Sequence, residues 1–276
     1  MILRSHLYVP ADQERLLARA ETRGADAIIL DLEDSVTEAR KDAALVEVLE
    51  FLATPRQTGE RWVRVNDGDR GFDEIRALVA APGIDGVWMP KVEPGAWFDT
   101  ALGLIIDADV RPGILVESAA GLVGMPHLPP LPTTALAQLG EVDLAASLRM
   151  RDTSDEAMVP YRARIVMECV IRGMAAPVAP VDTRIEDYGG YRIATTSLRD
   201  RGFGSRACIH PSQVAITNEV FTISAGDLEQ ARAVIRDFEN NTQAGQGAYA
   251  SADGHMVDLA TVRWARAIIA SSSGPA

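Results

Sequence analysis

The segment ADAIILDLEDSVTEARKDAA, residues 25–44, contains the two patterns that decide the fold. Its first part, DAIILDLE at residues 26–33, is an apolar run of strand length that ends in carboxylates. From Val36 to Leu52 the apolar residues recur at helical spacing instead. A continuous apolar strand suits a parallel sheet that is covered on both faces, and the helix that follows supplies one of the covers. This segment therefore predicts one strand–helix unit of an α/β protein.

The same unit recurs before and after this segment. Further runs of strand length are LYVP (7–10), RWVRVN (61–66), GVWMPKVE (86–93), RPGILVES (111–118), ALAQLG (135–140), APVAPVD (176–182) and RACIHP (206–211). Segments with helical spacing separate many of them, at residues 13–22, 72–79, 156–174 and 191–200. Eight parallel strands that alternate with helices close more naturally into a barrel than into an open sheet. The predicted fold is a (β/α)8 TIM barrel.

The remainder of the chain predicts additional helices after the barrel. Helical patterns at residues 214–220, 227–239 and 259–269 form a C-terminal helical segment of about 212–270. Because no repeat or change of composition marks a boundary, we predict a single domain over residues 1–276. The loop NNTQAGQGAYASADG, residues 240–254, is either a lid or a surface linker.

The composition excludes several classes of partner. The 276 residues carry a formal net charge of −12, and an acidic chain repels nucleic acid and anionic membrane surfaces. Neither a signal peptide nor an apolar run of membrane-spanning length is recognisable. The motifs GxSxG, HExxH, GxGxxG and Walker A are absent from the sequence. We therefore expect a cytoplasmic protein that acts on small molecules.

Two carboxylates at the ends of neighbouring strands are the strongest candidates for a metal site. A TIM barrel places its active site at the carboxyl ends of its strands. Glu117 and Asp143 follow predicted strands that are one strand–helix–strand step apart, so both should face the same mouth. Two carboxylate ligands, completed by water and substrate oxygens, suit Mg²⁺. From spacing alone, the alternative is that each carboxylate pairs with an arginine or caps a helix.

Arg64 and the LDLED turn are the next candidates. Arg64 alternates with apolar residues in WVRVN, so it should point into the mouth. There its planar guanidinium could bind a substrate carboxylate, form an ion pair with Glu33 or Asp34, or do both. Glu33 lies among other carboxylates, which would raise its pKa and suit it to proton transfer. Ser35 is predicted to cap the helix that follows, with Glu38 as its reciprocal partner.

The order of several segments resembles the citrate lyase β-subunit-like branch of the 2-keto acid aldolase and CoA-ester lyase superfamily. The similarity extends over about residues 3–270. The segments that carry it are RSHLYVPADQERLLARA (4–20), ADAIILDLEDSVTEARKDAA (25–44), WVRVN (62–66), GVWMPKVE (86–93), VESAAG (116–121), GEVDLAASL (140–148), GFGSRACIHPSQV (202–214) and NEVFTISAGDLEQA (218–231).

This resemblance implies a Mg²⁺-dependent carbon–carbon lyase on a TIM barrel, usually a homotrimer. It implies Glu117 and Asp143 as metal ligands, Arg64 and Glu117 as substrate-binding residues, and Glu33 and Asp34 as catalytic residues. The implied reaction cleaves or forms a 3-hydroxyacyl thioester of the malyl-, citramalyl- or citryl-CoA type from a 2-keto acid and an acyl-CoA. The alternatives are an aldolase that acts on free 2-keto acids and a β subunit that works only within a larger complex.

Three features depart from the family pattern. Ser118 stands where threonine is more usual, and Arg206 replaces a common lysine. The chain is also expected to lack the C-terminal extension with which malyl-CoA-type lyases supply a catalytic acid. The resemblance therefore leaves the proton donor and any thioesterase activity open.

Overall fold

The computed structural model describes residues 3–243, 248–250 and 256–273, and the chain divides into two compact units. Within the described residues, the first unit covers residues 3–221 and the second begins at residue 222. The predicted single-domain organisation remains a prediction.

The first unit contains a closed barrel of eight parallel strands, in which each strand pairs with the next and the last pairs with the first. The strands are β1 Ser5–Pro10, β2 Ala27–Asp31, β3 Glu60–Arg64, β4 Gly86–Met89, β5 Arg111–Val116, β6 Leu136–Leu139, β7 Val178–Ala179 and β8 Ser205–Cys208. Each lies within or overlaps a run that the sequence indicated. The predicted TIM-barrel fold is confirmed.

The helices of this unit connect the strands and cover their outer faces. They are α1 Glu14–Leu17, α2 Lys41–Ala53, α3 Gly68–Val79, α4 Ala96–Asp107, α5 Ala119–Gly124, α6 Glu141–Ser147, α7 Asp155–Ile171, α8 Tyr188–Asp200 and α9 Pro211–Phe221. Strand residues such as Val63 and Ile114 form one buried apolar cluster with helix residues such as Ile75 and Phe98. Burial of this cluster is the main hydrophobic contribution to the stability of the barrel.

Tryptophan and glycine residues fill the inside of the barrel as matched pairs. Trp62 on β3 and Trp88 on β4 are fully buried, with ring centroids 5.8 Å apart. A Cβ atom on Gly86 would lie 2.2 Å from the Trp62 ring, and one on Gly113 would lie 2.5 Å from the Trp88 ring. The interior is therefore a packed core rather than a channel.

Two local predictions are wrong. Residues 13–22 do not form one helix but the single turn α1, followed by a 3₁₀ turn at Ala20–Arg23. Ser35 caps no helix, because α2 begins only at Lys41, after a 3₁₀ turn at Glu38–Arg40. The backbone N–H of Ser35 instead donates to Oδ2 of Asp31 at 3.3 Å. The buried carboxylate of Asp31 is the stronger acceptor for this turn.

The second unit is mainly helical. It contains α10 Ala225–Gln243, α11 Leu259–Ser273 and an antiparallel pair of short strands, β9 Tyr249–Ala250 and β10 Met256–Val257. The predicted C-terminal helices are thus present. Most of the predicted lid or linker falls at residues 244–247 and 251–255, which lie outside the described residues, so that choice stays open. In the part of the chain that is described, no helix is long and apolar enough to cross a bilayer.

Candidate active site

A cavity of about 510 Å³ lies at the carboxyl ends of the strands. Four of the five predicted site residues line it, namely Asp34, Arg64, Glu117 and Asp143. The fifth, Glu33, is buried, and its Oε2 lies 2.9 Å from Nη1 of Arg64. The structure therefore brings together all five residues that the sequence indicated.

Arg64 is held by Asp31, its register partner on the neighbouring strand. Nε of Arg64 donates to Oδ1 of Asp31 at 2.6 Å, and Nη2 donates to Oδ2 at 2.8 Å. Burial opposes ionisation of Asp31, but the hydrogen bonds from Arg64 outweigh it and hold the pKa of Asp31 below its ordinary value. The predicted structural ion pairs of Arg64 also exist, to Glu33 at 2.9 Å and to Asp34 at 3.5 Å. Binding of substrate by Arg64 remains a prediction.

Glu33 lies between two cations. Its Oε2 contacts Arg64, and its Oε1 lies 2.9 Å from Nζ of Lys91. Burial raises the pKa of Glu33, and the two cations offset only part of that increase. Lys91 itself has a φ of 51°, a left-handed conformation that is costly for a residue with a side chain. Backbone strain of this kind is concentrated at functional sites.

Glu117 lacks the basic partners that Asp31 and Glu33 have. It follows β5, its exposed fraction is 4%, and its buried Oε2 has no hydrogen-bond partner among the described residues. Burial, reinforced by the negative charge of Glu33 and opposed by Arg64, raises the pKa of Glu117 to about 8. Gly140 leaves the space for this side chain, because a Cβ atom there would lie 2.5 Å from Cγ of Glu117. The fold thus places a buried carboxylate where Arg64 offsets only part of the cost of its ionisation and no described residue bonds its Oε2.

Asp143 adds a second carboxylate to the same side of the mouth. It lies in the first turn of α6, is exposed, and its charge contributes to the raised pKa of Glu117. In the described part of the chain, no group of three or more His, Cys, Asp or Glu side chains is placed to hold a metal. A cation bound by Glu117 and Asp143 would therefore complete its shell with water or substrate oxygens, as Mg²⁺ commonly does. The donor set fits that ion, and the ligand assignment remains a prediction.

Other polar residues that follow the strands form local pairs. Glu141 binds the guanidinium of Arg162 with both of its oxygens, and Asp182 binds Arg184 in the same way. Ser118 donates to Oε1 of Glu93 at 2.5 Å. Glu141 and Asp182 therefore have basic partners and Glu93 has a hydrogen-bond donor, in contrast to Oε2 of Glu117.

Three residues of the site were not predicted. Tyr8 on β1 and Gln138 on β6 line the cavity, and the Tyr8 hydroxyl donates to Oε1 of Gln138 at 3.2 Å. Gly140 makes room for Glu117. For Gln138 the sequence did contain a signal, because it is a polar residue inside the apolar run ALAQLG. A polar residue within a buried strand needs a hydrogen-bond partner.

Comparison with known proteins shows the family. The profile of the HpcH/HpaI aldolase/citrate lyase family matches residues 4–211. The (3S)-malyl-CoA thioesterase of Cereibacter sphaeroides is 31% identical over 98% of this chain and 94% of its own length. The citrate lyase subunit beta of Leuconostoc mesenteroides subsp. cremoris is 29% identical over 96% and 92%, respectively. The structure of CitE from Mycobacterium tuberculosis in complex with magnesium, acetoacetate and coenzyme A covers 98% of both chains, with 27% identity and a TM-score of 0.80.

These findings bear on the predicted chemistry. The solved relative contains magnesium, so the predicted Mg²⁺ cofactor is confirmed for the family. The relatives include both a lyase subunit and a CoA thioesterase. The match covers 94% of the length of the thioesterase. The C-terminal extension that we expected to be missing is therefore no argument against thioester hydrolysis. From the family profile and these relatives, we conclude that the chain belongs to the HpcH/HpaI aldolase/citrate lyase family.

Proposed function

We propose that this protein is a Mg²⁺-dependent carbon–carbon lyase that acts on a 3-hydroxyacyl-CoA thioester of the malyl-, citramalyl- or citryl-CoA type. Cleavage gives a 2-keto acid and an acyl-CoA, and the reverse reaction forms the bond. The observation that carries the proposal is the unpaired Glu117 at the barrel mouth, with Asp143 beside it. Leaving a buried carboxylate without a partner costs several kcal/mol, and a bound cation would remove that cost.

Glu117 and Asp143 would hold the metal. Both supply carboxylate oxygens, which Mg²⁺ prefers, and the orphaned Oε2 of Glu117 offers a ligand atom that no described residue uses. When bound, Mg²⁺ supplies Lewis-acid stabilisation of negative charge on a substrate oxygen.

Arg64 would orient the substrate. A guanidinium has five N–H donors, and the contacts to Asp31, Glu33 and Asp34 leave at least one for a ligand in the cavity. Because Asp31 fixes both Nε and Nη2, the guanidinium is held rigid before the substrate arrives. Such preorganisation lets Arg64 bind the keto-acid carboxylate and align the reacting carbon–carbon bond.

Glu33 and Asp34 would accept the proton of the substrate hydroxyl and transfer it to solvent. In the cleavage direction the substrate hydroxyl loses its proton, the carbon–carbon bond breaks, and its electron pair passes to the thioester as an enolate. The enolate then takes up one proton at carbon, which gives the acyl-CoA. The raised pKa of Glu33 suits a carboxylate that must accept a proton at neutral pH. Asp34 is more than half exposed and would exchange the proton with solvent.

Thioester hydrolysis is a second candidate, favoured by the thioesterase relative. An assay of malyl-, citramalyl- and citryl-CoA with Mg²⁺ separates the possibilities by their products. A lyase releases acyl-CoA and a 2-keto acid, whereas a thioesterase releases free CoA and a hydroxy acid. Reaction of free 2-keto acids alone would favour an aldolase, and turnover only with an acyl carrier partner would favour a dependent β subunit. Absence of acyl-CoA among the products contradicts the lyase proposal.

We also propose that the protein is cytoplasmic and, as the resemblance implies, a homotrimer. Multi-angle light scattering should then give about three times the chain mass of 29.7 kDa. A mass equal to that of one chain would contradict this proposal.

A further inference from the structure

Glu74 on α3 is a buried carboxylate that lies outside the cavity. Its exposed fraction is 1%, and both of its oxygens accept from Asn66. Oε2 accepts from the backbone N–H at 2.7 Å, and Oε1 accepts from Nδ2 at 2.7 Å. No other hydrogen bond or ion pair reaches these oxygens in the described part of the chain. Burial raises the pKa of Glu74, and the bonds from Asn66 offset only part of that increase. A carboxylate kept at this cost needs a purpose, and its contacts lead to Asn66.

Asn66 connects Glu74 to the LDLED turn. Its Nδ2 also donates to the carbonyl oxygen of Leu32 at 3.0 Å, and its Oδ1 accepts from Nζ of Lys41 at 2.5 Å. All three N–H donors of this buried residue therefore have acceptors. Because an ionised carboxylate only accepts hydrogen bonds, Glu74 requires Nδ2 rather than Oδ1 to face it. Glu74 thus sets the orientation of the Asn66 amide.

Leu32, the residue before Glu33, is held on both sides of its backbone. Its N–H donates to the carbonyl oxygen of Arg64 at 3.0 Å, and its own carbonyl oxygen accepts from Asn66. The turn is therefore joined to the segment that carries Arg64. Glu33 follows directly, and its carboxylate lies 2.9 Å from Arg64 and 2.9 Å from Lys91. The place of this carboxylate depends on the peptide group that Asn66 holds.

We propose that Glu74 is a positioning residue for the proposed reaction: it orients Asn66, which holds the Leu32 carbonyl and so places Glu33 for proton transfer. Glu74 is not among the residues that line the cavity, so it acts through other residues and not on the substrate. This inference rests on the proposed function, because it assumes that Glu33 accepts the proton. Arg64 is held separately by Asp31, so the expected loss is in rate and not in substrate binding.

Glu74→Gln tests this role with a side chain of the same shape. One acceptor oxygen becomes an N–H donor, which faces either the backbone N–H or the amide of Asn66. Turning that amide over removes its bond to Leu32. With whichever of malyl-, citramalyl- or citryl-CoA the wild type cleaves, we expect kcat to fall roughly tenfold to a hundredfold, the scale for a misplaced catalytic group. The KM for the thioester and the affinity for Mg²⁺ should stay within a few-fold.

Glu21→Gln is the matched control. Glu21 is also buried, and its oxygens likewise accept from one side chain, Nε of Arg61 at 2.7 Å, and from one backbone N–H, that of Gln57 at 3.0 Å. This variant should lose stability in urea denaturation but keep the wild-type kcat. An equal fall of kcat in both variants would show that lost stability alone is responsible, and it would overturn the inference.

Adding Asn66→Asp to Glu74→Gln separates stability from position. The new amide at position 74 donates to the new carboxylate at position 66, which Lys41 also faces, and the total charge returns to that of the wild type. No donor then faces the Leu32 carbonyl. We expect the double variant to be more stable in urea than Glu74→Gln but to keep a lowered kcat.

The double variant also decides the question if Glu74→Gln does not fold. A wild-type kcat in either variant would overturn the inference and leave the lyase proposal intact. A wild type that cleaves none of the three thioesters would instead refute the proposed function, and the inference with it.

Discussion

The two sides of the barrel mouth treat their carboxylates in opposite ways. On the side of β2 and β3, Asp31 and Glu33 are buried and paired with Arg64, and Lys91 also contacts Glu33. On the side of β5 and β6, Glu117 is buried to a similar extent and has no basic partner among the described residues. The pKa of Asp31 is accordingly lowered, and the two cations offset part of the increase that burial causes in the pKa of Glu33. The pKa of Glu117, which has no such partner, rises to about 8.

We infer from this difference that the proposed cation binds on the side of Glu117. A protein that needed Glu117 only for packing could replace it with an apolar residue at little cost, since buried charges are seldom stabilising by themselves. Keeping a carboxylate there destabilises the metal-free fold, so the gain must come from what the carboxylate binds. In the proposed function, the paired side of the mouth binds the substrate and the unpaired side binds the metal.

The largest expected effect follows from removing the charge on the unpaired side. Glu117→Gln should weaken Mg²⁺ binding and lower the lyase rate by roughly a thousandfold or more, since the Lewis acid would be lost. Glu93→Gln is the matched control, because Glu93 lies after the neighbouring strand but binds Ser118. Calorimetry and a coupled assay measure the two effects. Equal loss in both variants would remove the distinction between the two carboxylates.

On the paired side, removing the cation should destabilise the fold as well as weaken substrate binding. Arg64→Ala leaves Asp31 and Glu33 buried without their main partner, and we expect it to lower the free energy of unfolding by about 3–5 kcal/mol. Arg61→Ala is the control at the amino end of the same strand, where Arg61 pairs with the buried Glu21 at 2.7 Å. Both should destabilise in urea denaturation, but only Arg64→Ala should also weaken keto-acid binding. A fully stable Arg64→Ala would contradict the structural part of this role.

In metal-free protein, removing the charge of Glu117 should raise the free energy of unfolding, whereas Arg64→Ala lowers it. Its folded-state pKa of about 8 lies above its ordinary value of 4.5, so the folded chain binds this proton more tightly than the unfolded chain. Through this residue, the free energy of unfolding should fall as the pH rises from about 4.5 to about 8. Glu117→Gln should therefore be more stable than the wild type by roughly 2–4 kcal/mol at alkaline pH, and about equal to it near pH 5.

Urea denaturation in EDTA at both pH values measures this difference. Added Mg²⁺ should stabilise the wild type and not the variant. A metal-free wild type that is the more stable protein at alkaline pH would show that Glu117 has a partner after all.

The smallest effect concerns Lys91. Lys91→Met removes one of the two cations on Glu33, so the pKa of Glu33 should rise further. As the pH is lowered, a base at this position would then become protonated, and inactive, at a higher pH than in the wild type. Because Lys91 is half-exposed, we expect the acid limb of the pH–rate profile to shift upward by less than about one pH unit. Lys91→Arg should retain the wild-type profile. An unshifted profile in Lys91→Met would argue that Glu33 is not the group that titrates.

Much of the barrel and of the rim followed from the spacing of apolar and charged residues. Strand ends place Glu117 and Arg64 at the mouth whatever the details of packing, because the carboxyl ends of parallel strands meet on one side. The bidentate pair of Arg64 with Asp31 did not follow, since it depends on the register of β2 against β3. Ser35 was wrongly predicted to cap a helix, because the sequence does not show that the carboxylate of Asp31 turns towards the loop. There it accepts a hydrogen bond from the backbone N–H of Ser35.

The contact between Tyr8 and Gln138 could not be predicted from the sequence. These residues are separated by 130 positions and lie on strands that are not neighbours in the sheet. Their contact exists only because the barrel closes and directs both side chains inward. The alternating pattern predicts which face a residue lies on, but it does not predict which residue lies opposite across a barrel.

The position of a bound divalent ion tests the central claim most directly. Crystals grown with Mn²⁺ in place of Mg²⁺ would locate the ion through its anomalous scattering. We expect one peak at the barrel mouth, bridging the carboxylates of Glu117 and Asp143, and its loss in Glu117→Gln. A peak on the side of Asp31 and Glu33, or none near Glu117, would contradict the account.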